Sequence, residues 1–351
     1  MKPKQNFIKL IEWSDRQFSH LPWRVQRSLY TTLVSEIMLQ QTTVATVCRY
    51  FEKFICSFPD IESLAATSEE KLLNAWKGLG YYRRARSLKK AATYFSQQCQ
   101  GRIPLEYEAL VQVPGIGEYT ANALLAIGND QKALALDANL IRVLRRFWGV
   151  SESAAVAQKK VIMQKMDQFS AADFSFRALN EALMDLGRTY CQARRTSCQQ
   201  CPLMDNCLDY HSGRIGNELK SLDSAKSGES LVMNLLRVVV RKNHKVLVYK
   251  KKKGEWLEGQ YEVPTFLLSC QDSSCIQYPK IDKQIEKQLL IPQKAGVNTS
   301  ITKYRIKNFI LEMSYVDFKK KFGQKEFIFV DGKCPETHLS TASLKVLKTA
   351  E

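Results

Sequence analysis

The sequence predicts a multidomain protein in which an all-α domain precedes an α+β domain. The chain has 351 residues, more than one hydrophobic core usually organises. Apolar residues recur at helical spacing up to about residue 211, and the pattern becomes β-rich after about residue 231. We therefore place the helical domain at 1–211, a linker at 212–231 and the α+β domain at 232–351.

The order of local patterns supports this division. Leu29, Leu33 and Ile37 lie on one face of a predicted helix, and turn signals such as "SFPD" and "KGLGYY" separate the helical stretches. The predicted linker is polar and rich in Gly and Ser. Beyond it, "LLRVVVRKNHKVLVYKKK" predicts two strands around a short turn, and "SYVDF" and "EFIFVDG" predict further β structure.

The charge balance favours nucleic acid as a partner. The net charge is +17, yet 45% of the residues are hydrophobic, which indicates a folded protein with a positive field. A bias toward solubility or an anionic membrane surface would give a similar composition. No apolar run is long enough for a membrane helix, and the N-terminus does not resemble a signal peptide. We expect a monomer without membrane association in the cytoplasm, on the nucleoid if the protein is bacterial.

The stretch "CQARRTSCQQCPLMDNC" holds four cysteines, with six, two and five residues between them. Disulfides are rare in a reducing compartment, and structural zinc usually uses two knuckles that lie farther apart. The compact spacing favours one [4Fe–4S] cluster per chain, with a zinc loop or free thiols as alternatives. The predicted ligands are Cys191, Cys198, Cys201 and Cys207. Arg194 and Arg195 lie in the first gap, where they can balance thiolate charge and face an anion.

A glycine turn between two predicted helices is a second candidate site. In "VQVPGIGEYTANALLAIG", Gly115 and Gly117 allow positive φ and close approach of another backbone, and the next helix begins with free N–H groups. Such a turn can bind a phosphate without reading a base. It is equally common as plain structure.

Taken together, these motifs resemble a known family. Residues 7–211 are similar to the helix–hairpin–helix DNA glycosylases with an iron–sulfur loop, and within that superfamily to the MutY-type adenine DNA glycosylases. The motifs that carry the resemblance are "LPWR", "VSEIMLQQTTVATV", "WKGLGYY", "LDANLIRVLRR" and "NEALMDLG". The resemblance implies a monofunctional enzyme of base-excision repair that hydrolyses the N-glycosidic bond of adenine opposite 8-oxoguanine or guanine in double-stranded DNA.

The resemblance assigns the acid to Glu36, in "SEIMLQQ". Its place at the border of an apolar helix stripe predicts a raised pKa and an available proton, although periodicity alone suits an ordinary exposed glutamate. Asp137 precedes a helix, so it can cap that helix and also stabilise positive charge at the sugar or form a transient bond to it. Asn139 resembles the partner that positions water or Asp137. Ala138 stands where the family usually has glycine.

Other positions match the family's substrate contacts. Tyr119 replaces the lysine of endonuclease III relatives, and a phenol cannot form a Schiff base, which argues against strand cleavage. Glu181, Arg24 and Trp23 match the adenine pocket, although they would serve equally as an ion pair and a core tryptophan.

The resemblance also implies base flipping, because the target base is otherwise inside the duplex. Leu39, Gln41 and Tyr81 match the residues that enter the base stack.

The C-terminal domain resembles the Nudix-like domain of the same family through "GEWLEGQYEVPTF". The glutamate-rich metal box of a Nudix hydrolase is missing, so we expect no pyrophosphatase activity. In the loop that reads 8-oxoguanine, Lys303 stands where histidine is usual. We expect adenine excision with a weakened preference for 8-oxoguanine.

Two other functions fit parts of the sequence. A glycosylase for mismatched thymine or oxidised pyrimidine would share the fold and the cysteine loop. A non-catalytic iron–sulfur protein that binds DNA or senses redox state would need only the loop and the basic surface.

Overall fold

A computed structural model describes residues 3–216, 218, 231–272, 274–323, 326–331 and 339–350. The chain forms two compact units, Met1–Ala225 and Lys226–Glu351. Most of the predicted linker, 212–231, lies outside the described residues, so the domain limits remain predictions. A helical domain followed by an α+β region is the predicted fold class, and this prediction is confirmed.

The described part of the first unit is mainly helical. Its helices are α1 Pro3–Phe18, α2 Pro22–Val25, α3 Leu29–Leu39, α4 Val44–Ser57, α5 Ile61–Ala66, α6 Glu69–Ala75, α7 Arg83–Gln98, α8 Tyr107–Val111, α9 Glu118–Ala123, α10 Ala138–Trp148, α11 Ala155–Met166, α12 Phe176–Thr189 and α13 Leu208–His211. A π-helical turn, Leu124–Gly128, continues α9. Two 3-10 turns, Cys198–Gln200 and Met204–Asn206, shape the cysteine loop.

Two large hydrophobic clusters make up most of the core in the described part of this unit. The first is built from residues of 21–125 and includes Trp76 and Phe95, both fully buried. The second joins α1 to residues of 134–215 and includes Phe7 and Leu183. Helix α3 belongs to the first cluster, whereas α10 and α12 belong to the second. Side chains from these helices can therefore meet where the two clusters adjoin.

Local signals fix where the site helices begin. Ser28 and Thr31 form a reciprocal capping box at α3, and Ser175 caps α12 through the N–H of Ala178.

Gly115 has φ of 95°, and a Cβ there would lie 2.7 Å from the carbonyl oxygen of Ser87. Only glycine fits that turn. Gly117 has φ of −105°, so it does not use the left-handed freedom that the sequence suggested.

The second unit contains two small sheets. Its strands are β1 Leu231–Val239, β2 Arg241–Lys242, β3 Lys245–Lys250, β4 Tyr261–Glu262, β5 Thr265–Cys270, β6 Val297–Ile301, β7 Tyr304–Glu312 and β8 Phe327–Asp331. The first sheet has the order β5-β1-β7-β6, with β1 and β7 parallel. In the second sheet β3 pairs antiparallel with β2, β4 and β8. The helices of this unit include Lys283–Lys287, Tyr315–Phe322 and Thr341–Thr349.

One prediction for this unit is wrong. "SYVDF" belongs to the helix Tyr315–Phe322 and its cap, not to a strand. The Ser314 hydroxyl accepts from the N–H of Asp317, and this cap outweighs the β propensity of the aromatic and branched residues. Phe318 on that helix is buried in the core.

No helix among the described residues is long and apolar enough to cross a membrane.

Candidate functional site

Glu36 lies on α3 with only 4% of its surface exposed. The Tyr119 hydroxyl donates to its Oε2 at 2.6 Å. Burial raises the pKa of Glu36 to about 7; the hydrogen bond from Tyr119 opposes this rise, and the charges of Glu181 and Asp137 add to it. A carboxyl group with that pKa is about half protonated at pH 7, so it can give a proton to a bound base.

Tyr119 lies on α9, and its ring packs against the small cluster of Ala123, Ile127 and Ala135. Burial and the neighbouring Glu36 raise the pKa of the phenol well above its ordinary value. The phenol therefore remains a hydrogen-bond donor. Its observed partner is Glu36, a contact that the sequence did not predict.

Asp137 caps α10, as the sequence predicted. Its Oδ1 accepts from the backbone N–H groups of Asn139 and Leu140, both at 2.8 Å. Its Oδ2 accepts from the side-chain amide of Asn139 at 2.7 Å. Three donors therefore hold this carboxylate in one orientation, and the Ala138 backbone accommodates that cap.

Glu181 and Arg24 form a buried ionic cluster on α12 and α2. Arg27 donates to both carboxylate oxygens of Glu181, at 2.7 and 3.1 Å, and Arg24 lies 3.5 Å from Glu181 Oε2. Asp185, one helical turn beyond Glu181, bonds Arg24 at 3.0 Å and accepts from Ser14. The cluster fixes Glu181 near Glu36, whose pKa it affects.

Trp23 lies in the hydrophobic core with its ring edge against Phe51, at a centroid distance of 5.7 Å. This is the alternative that the sequence left open for it. A role for Trp23 in a substrate pocket remains a prediction.

The predicted wedge residues lie on two neighbouring turns. Leu39 ends α3 and is half-buried, and Gln41 follows it in an exposed turn with φ of 56°. Tyr81, in the turn before α7, has φ of 47° and is 57% exposed. Positive φ at residues other than glycine is uncommon and tends to occur at functional turns.

The remaining predicted DNA contacts are exposed. Arg194 and Arg195 lie in a tight turn closed by a β-bridge between Cys191 and Thr196. Gly117 has open space around the position of a Cβ. A phosphate group can approach each of these places from solvent.

The four cysteines of the loop pack against the second hydrophobic cluster. Burial raises the pKa of Cys201 to about 12, and the other three thiols oppose its ionisation further. Burial likewise raises the pKa of Cys207 to about 11. Among the described residues, no three His, Cys, Asp or Glu side chains are grouped as a metal ion requires.

Two arginines tie the cysteine loop to α10. Arg146, fully buried, donates to Cys191 Sγ at 3.5 Å. Arg142 donates to the carbonyl of Cys191 at 2.9 Å and to the side-chain oxygen of Asn139 at 2.8 Å. The loop is therefore linked by hydrogen bonds to the residue that holds Asp137.

In the second unit, Lys303 lies in the turn between β6 and β7 and is 60% exposed. Its Nζ lies 3.1 Å from Asp272 Oδ2, which also accepts from the hydroxyl of Tyr304 at 2.5 Å. Bonds from Ser274, Tyr304 and Lys303 hold the pKa of Asp272 well below its usual range. The Asp272 carboxylate therefore partly neutralises the positive charge of Lys303.

Sequence reasoning missed Arg27, Asp185 and Arg84. Asp185 is four residues beyond Glu181, a spacing that places both carboxylates on one helix face and could have revealed it. The contact between Arg27 and Glu181 spans 154 residues of sequence, and no local pattern signals it.

The chain is similar to a protein-family model, to curated relatives and to solved structures. Residues 34–171 match the model of the HhH-GPD superfamily base excision DNA repair protein. The adenine DNA glycosylase of Buchnera aphidicola subsp. Baizongia pistaciae is 33% identical over 239 residues, which cover 67% of this chain and 66% of that one. The adenine DNA glycosylase of Rattus norvegicus is 35% identical over 240 residues, 64% of this chain and 45% of that one.

The chain spans little more than half the length of two other Buchnera relatives, 55% and 54%. The structure of a thermostable thymine-DNA glycosylase superposes with a TM-score of 0.54 and 27% identity, over 60% of this chain and 96% of that one. An endonuclease III–DNA complex gives a TM-score of 0.50 at 22% identity, over 62% of this chain and all of that one, and shares the fold. With the helical fold and the site described above, these matches show that the chain belongs to the HhH-GPD superfamily of base excision DNA repair proteins.

Proposed function

We propose that this protein is a monofunctional adenine DNA glycosylase, which hydrolyses the N-glycosidic bond of adenine opposite 8-oxoguanine or guanine in duplex DNA. The observation that carries the proposal is the pair of carboxyl groups, Glu36 and Asp137, held in two different environments. Glu36 is buried and retains a proton near neutral pH, whereas Asp137 accepts three hydrogen bonds. Such a pair separates the acid from the charge-stabilising group.

Glu36 serves as the general acid. Protonation of N7 makes adenine a better leaving group. Burial keeps a proton on the Glu36 carboxyl group for this step, whereas a solvated carboxylate has no proton to donate. Arg24 and Arg27 hold Glu181 beside it, where the Glu181 carboxylate can accept from the exocyclic amine of adenine. Trp23 closes the same pocket from the core side in this proposal.

Asp137 stabilises the sugar as the bond breaks. The sugar gains positive charge in an oxocarbenium-like transition state, and an oriented carboxylate lowers the energy of that charge. Asn139 holds the carboxylate and orients the attacking water. Tyr119 has no amine, so no Schiff base forms and the strand stays intact after excision.

The proposed glycosylase function also requires contacts to the DNA backbone and to the base stack. Gly115 and Gly117 let a phosphate approach the start of α9, and Arg194 and Arg195 bind further phosphates. Leu39, Gln41 and Tyr81 enter the base stack from their two turns and support the flipped adenine. The protein acts on DNA as a monomer.

The cysteine loop holds a [4Fe–4S] cluster in this proposal. All four donors are thiols on one short loop, which is the ligand set that such clusters use, and the buried Arg146 beside Cys191 offsets thiolate charge. The ligands would be Cys191, Cys198, Cys201 and Cys207. The cluster would supply structural support for the loop that carries Arg194 and Arg195. This chain's residues perform the bond cleavage.

The activity is tested directly with duplexes that contain adenine opposite 8-oxoguanine. Treatment with alkali after incubation should produce strand breaks at the adenine, and omission of alkali should produce none. Breaks without alkali would refute the monofunctional role of Tyr119. Excision of thymine or an oxidised pyrimidine in preference to adenine would support the function named in the thymine-DNA glycosylase match.

The cluster is tested by iron and sulfide content. Four of each per chain are expected, and Cys201→Ser should lose both, while Cys56→Ser, at an exposed cysteine elsewhere, should lose neither. Protein without iron should bind DNA weakly. Normal DNA binding and excision by iron-free protein would contradict the supporting role.

Tyr119→Phe should shift the pH profile of the reaction. The rate of the native protein should fall as pH rises through about 7, because Glu36 then loses its proton. The hydrogen bond from Tyr119 favours the charged carboxylate, so its removal raises the pKa of Glu36 and moves the alkaline limb upward. Single-turnover rates between pH 5 and pH 9 measure this, with Tyr94→Phe as the control. An unchanged limb would show that the Tyr119 contact does not set the pKa.

The second unit contributes recognition of 8-oxoguanine in this proposal, through the Nudix-like β6–β7 turn. Lys303 donates hydrogen bonds but accepts none, and Asp272 competes for it. We expect the ratio of single-turnover rates on 8-oxoguanine and guanine duplexes to fall toward 1 in Lys303→Ala. A ratio that stays the same in Lys303→Ala and in the control Lys307→Ala would exclude this turn from recognition.

A further inference from the structure

Arg84 joins the two turns that present Gln41 and Tyr81. It is the second residue of α7, and only 8% of its surface is exposed. Its Nη1 donates to three carbonyl oxygens. Two belong to the end of α3, those of Ile37 and Met38, and the third belongs to Gln40 in the turn that presents Gln41. Its Nη2 donates to Thr42 Oγ1 at 2.9 Å and to the carbonyl oxygens of Leu79 and Gly80 at 3.0 and 3.1 Å.

These acceptors surround the two exposed side chains. Gln40 and Thr42 flank Gln41, and Gly80 precedes Tyr81. The guanidinium also lies 5.7 Å from the centre of the Tyr81 ring. One rigid, planar cation thus bonds both turns at once, next to the residue that each turn exposes.

Both turns need such support. Gln41 and Tyr81 have positive φ values of 56° and 47°, a backbone strain that persists only when neighbouring contacts enforce it. Capping of α3 explains the bonds to Ile37 and Met38, which are among the last carbonyls of that helix. It does not explain the bonds to Leu79 and Gly80, which belong to the other turn.

We propose that Arg84 is a positioning residue that holds the turns of Gln41 and Tyr81 in one fixed arrangement, so that both side chains enter the DNA stack together. The proposal rests on the proposed function, because it concerns how the adenine is flipped. Arg84 acts through Gln41 and Tyr81 and does not touch the base. A lysine keeps the charge but has one nitrogen, which cannot reach both turns with the same geometry.

The test compares Arg84→Lys with Arg86→Lys. Both changes lie on α7 and keep the charge, but Arg86 pairs with Glu69 on the protein surface. On a fully paired duplex, Arg84→Lys should lower the single-turnover rate about 10- to 100-fold, as misplaced positioning groups do. With adenine opposite an abasic site, where flipping costs less, the loss should stay below about threefold. Equal losses on both duplexes would indicate a general structural role and overturn the proposal.

A double-mutant cycle tests the route through Tyr81. If Arg84 acts through this ring and its turn, Arg84→Lys should cost much less in the Tyr81→Ala background than in the native protein. Losses that multiply independently would overturn the proposal.

A flipping assay separates this proposal from the enzymatic one. With 2-aminopurine in place of the target adenine, binding of the native protein should raise the fluorescence, and Arg84→Lys should raise it less than Arg86→Lys does. If this fluorescence difference is found but the native protein excises no adenine, the proposed function is rejected and the positioning role is kept. Normal excision by the native protein with equal fluorescence for the two variants would reject the positioning role alone.

Discussion

Glu36→Gln should lower the rate of adenine excision by about 10²- to 10⁴-fold, the usual contribution of a general acid. Glutamine has the same shape and can still accept the hydrogen bond from Tyr119, but it cannot give a proton to the base. Single-turnover rates at saturating protein measure the effect. Affinity for the duplex should stay within a few fold, because Glu36 is buried and contributes no phosphate contact.

Glu52→Gln is the matched control. It makes the same chemical change on α4, at an exposed position in the same unit, and should leave the rate unchanged. An active Glu36→Gln protein would remove the acid from the mechanism. It would favour the alternative in which the carboxylates are structural and the cysteine loop is the working part.

The stability of Glu36→Gln should separate lost chemistry from misfolding. The pKa of Glu36 is raised in the folded state, so its burial has no ionisation cost below the ordinary pKa near 4.5. The free-energy cost of burying the ionised Glu36 grows as pH rises from about 4.5 toward 7, and it reaches its full size above pH 7. The variant should therefore be more stable than the native protein at pH 8, by up to about 3 kcal/mol, and equal to it near pH 4. Denaturant unfolding at the two pH values measures the difference. A less stable variant at pH 8 would contradict the burial of a charge there.

The parts of the site that were predicted from sequence are those with local signals. Asp137 follows an apolar run and precedes a helix, so its capping role could be read directly from the order of residues. The motif "SEIMLQQ" identified Glu36 by family resemblance, whereas periodicity alone left it as an ordinary surface residue. The structure shows that Glu36 is buried and not exposed, and this burial depends on helices that are distant in sequence.

The parts that were not predicted depend on long-range contacts. Arg84 bonds groups more than 40 residues away, and its sequence context, "YYRRARS", does not distinguish it from its neighbours. "SYVDF" was misassigned for the opposite reason, because a local cap at Ser314 outweighed the residue types on which the strand prediction rested. Gly117 shows a third case, in which a glycine gives open space around its Cα and not a special φ.

Asp137→Asn should lower the excision rate by about 10²- to 10³-fold while the fold persists, since loss of one preorganised electrostatic group has effects of this size. Asparagine is as good a helix cap as aspartate, so α10 should still begin at the same residue. The N–H groups of Asn139 and Leu140 should keep an oxygen acceptor at residue 137. The amide has no charge to stabilise the developing oxocarbenium ion. In the native protein the side-chain amide of Asn139 donates to Asp137 Oδ2. The substitution can also place an N–H₂ group against that amide.

Asp60→Asn separates the charge from the cap. Asp60 caps α5 in the same way, with its Oδ1 accepting from the N–H of Ser63 at 2.8 Å. Both variants therefore exchange a capping carboxylate for an amide in the same unit, and their thermal unfolding should change by similar small amounts. Only Asp137→Asn should lose excision, measured by single-turnover rates at equal DNA saturation. Equal rates in the two variants would show that Asp137 only begins a helix. The stabilising charge would then have to come from another group, and Glu181 on α12 is a candidate because its charge acts on Glu36.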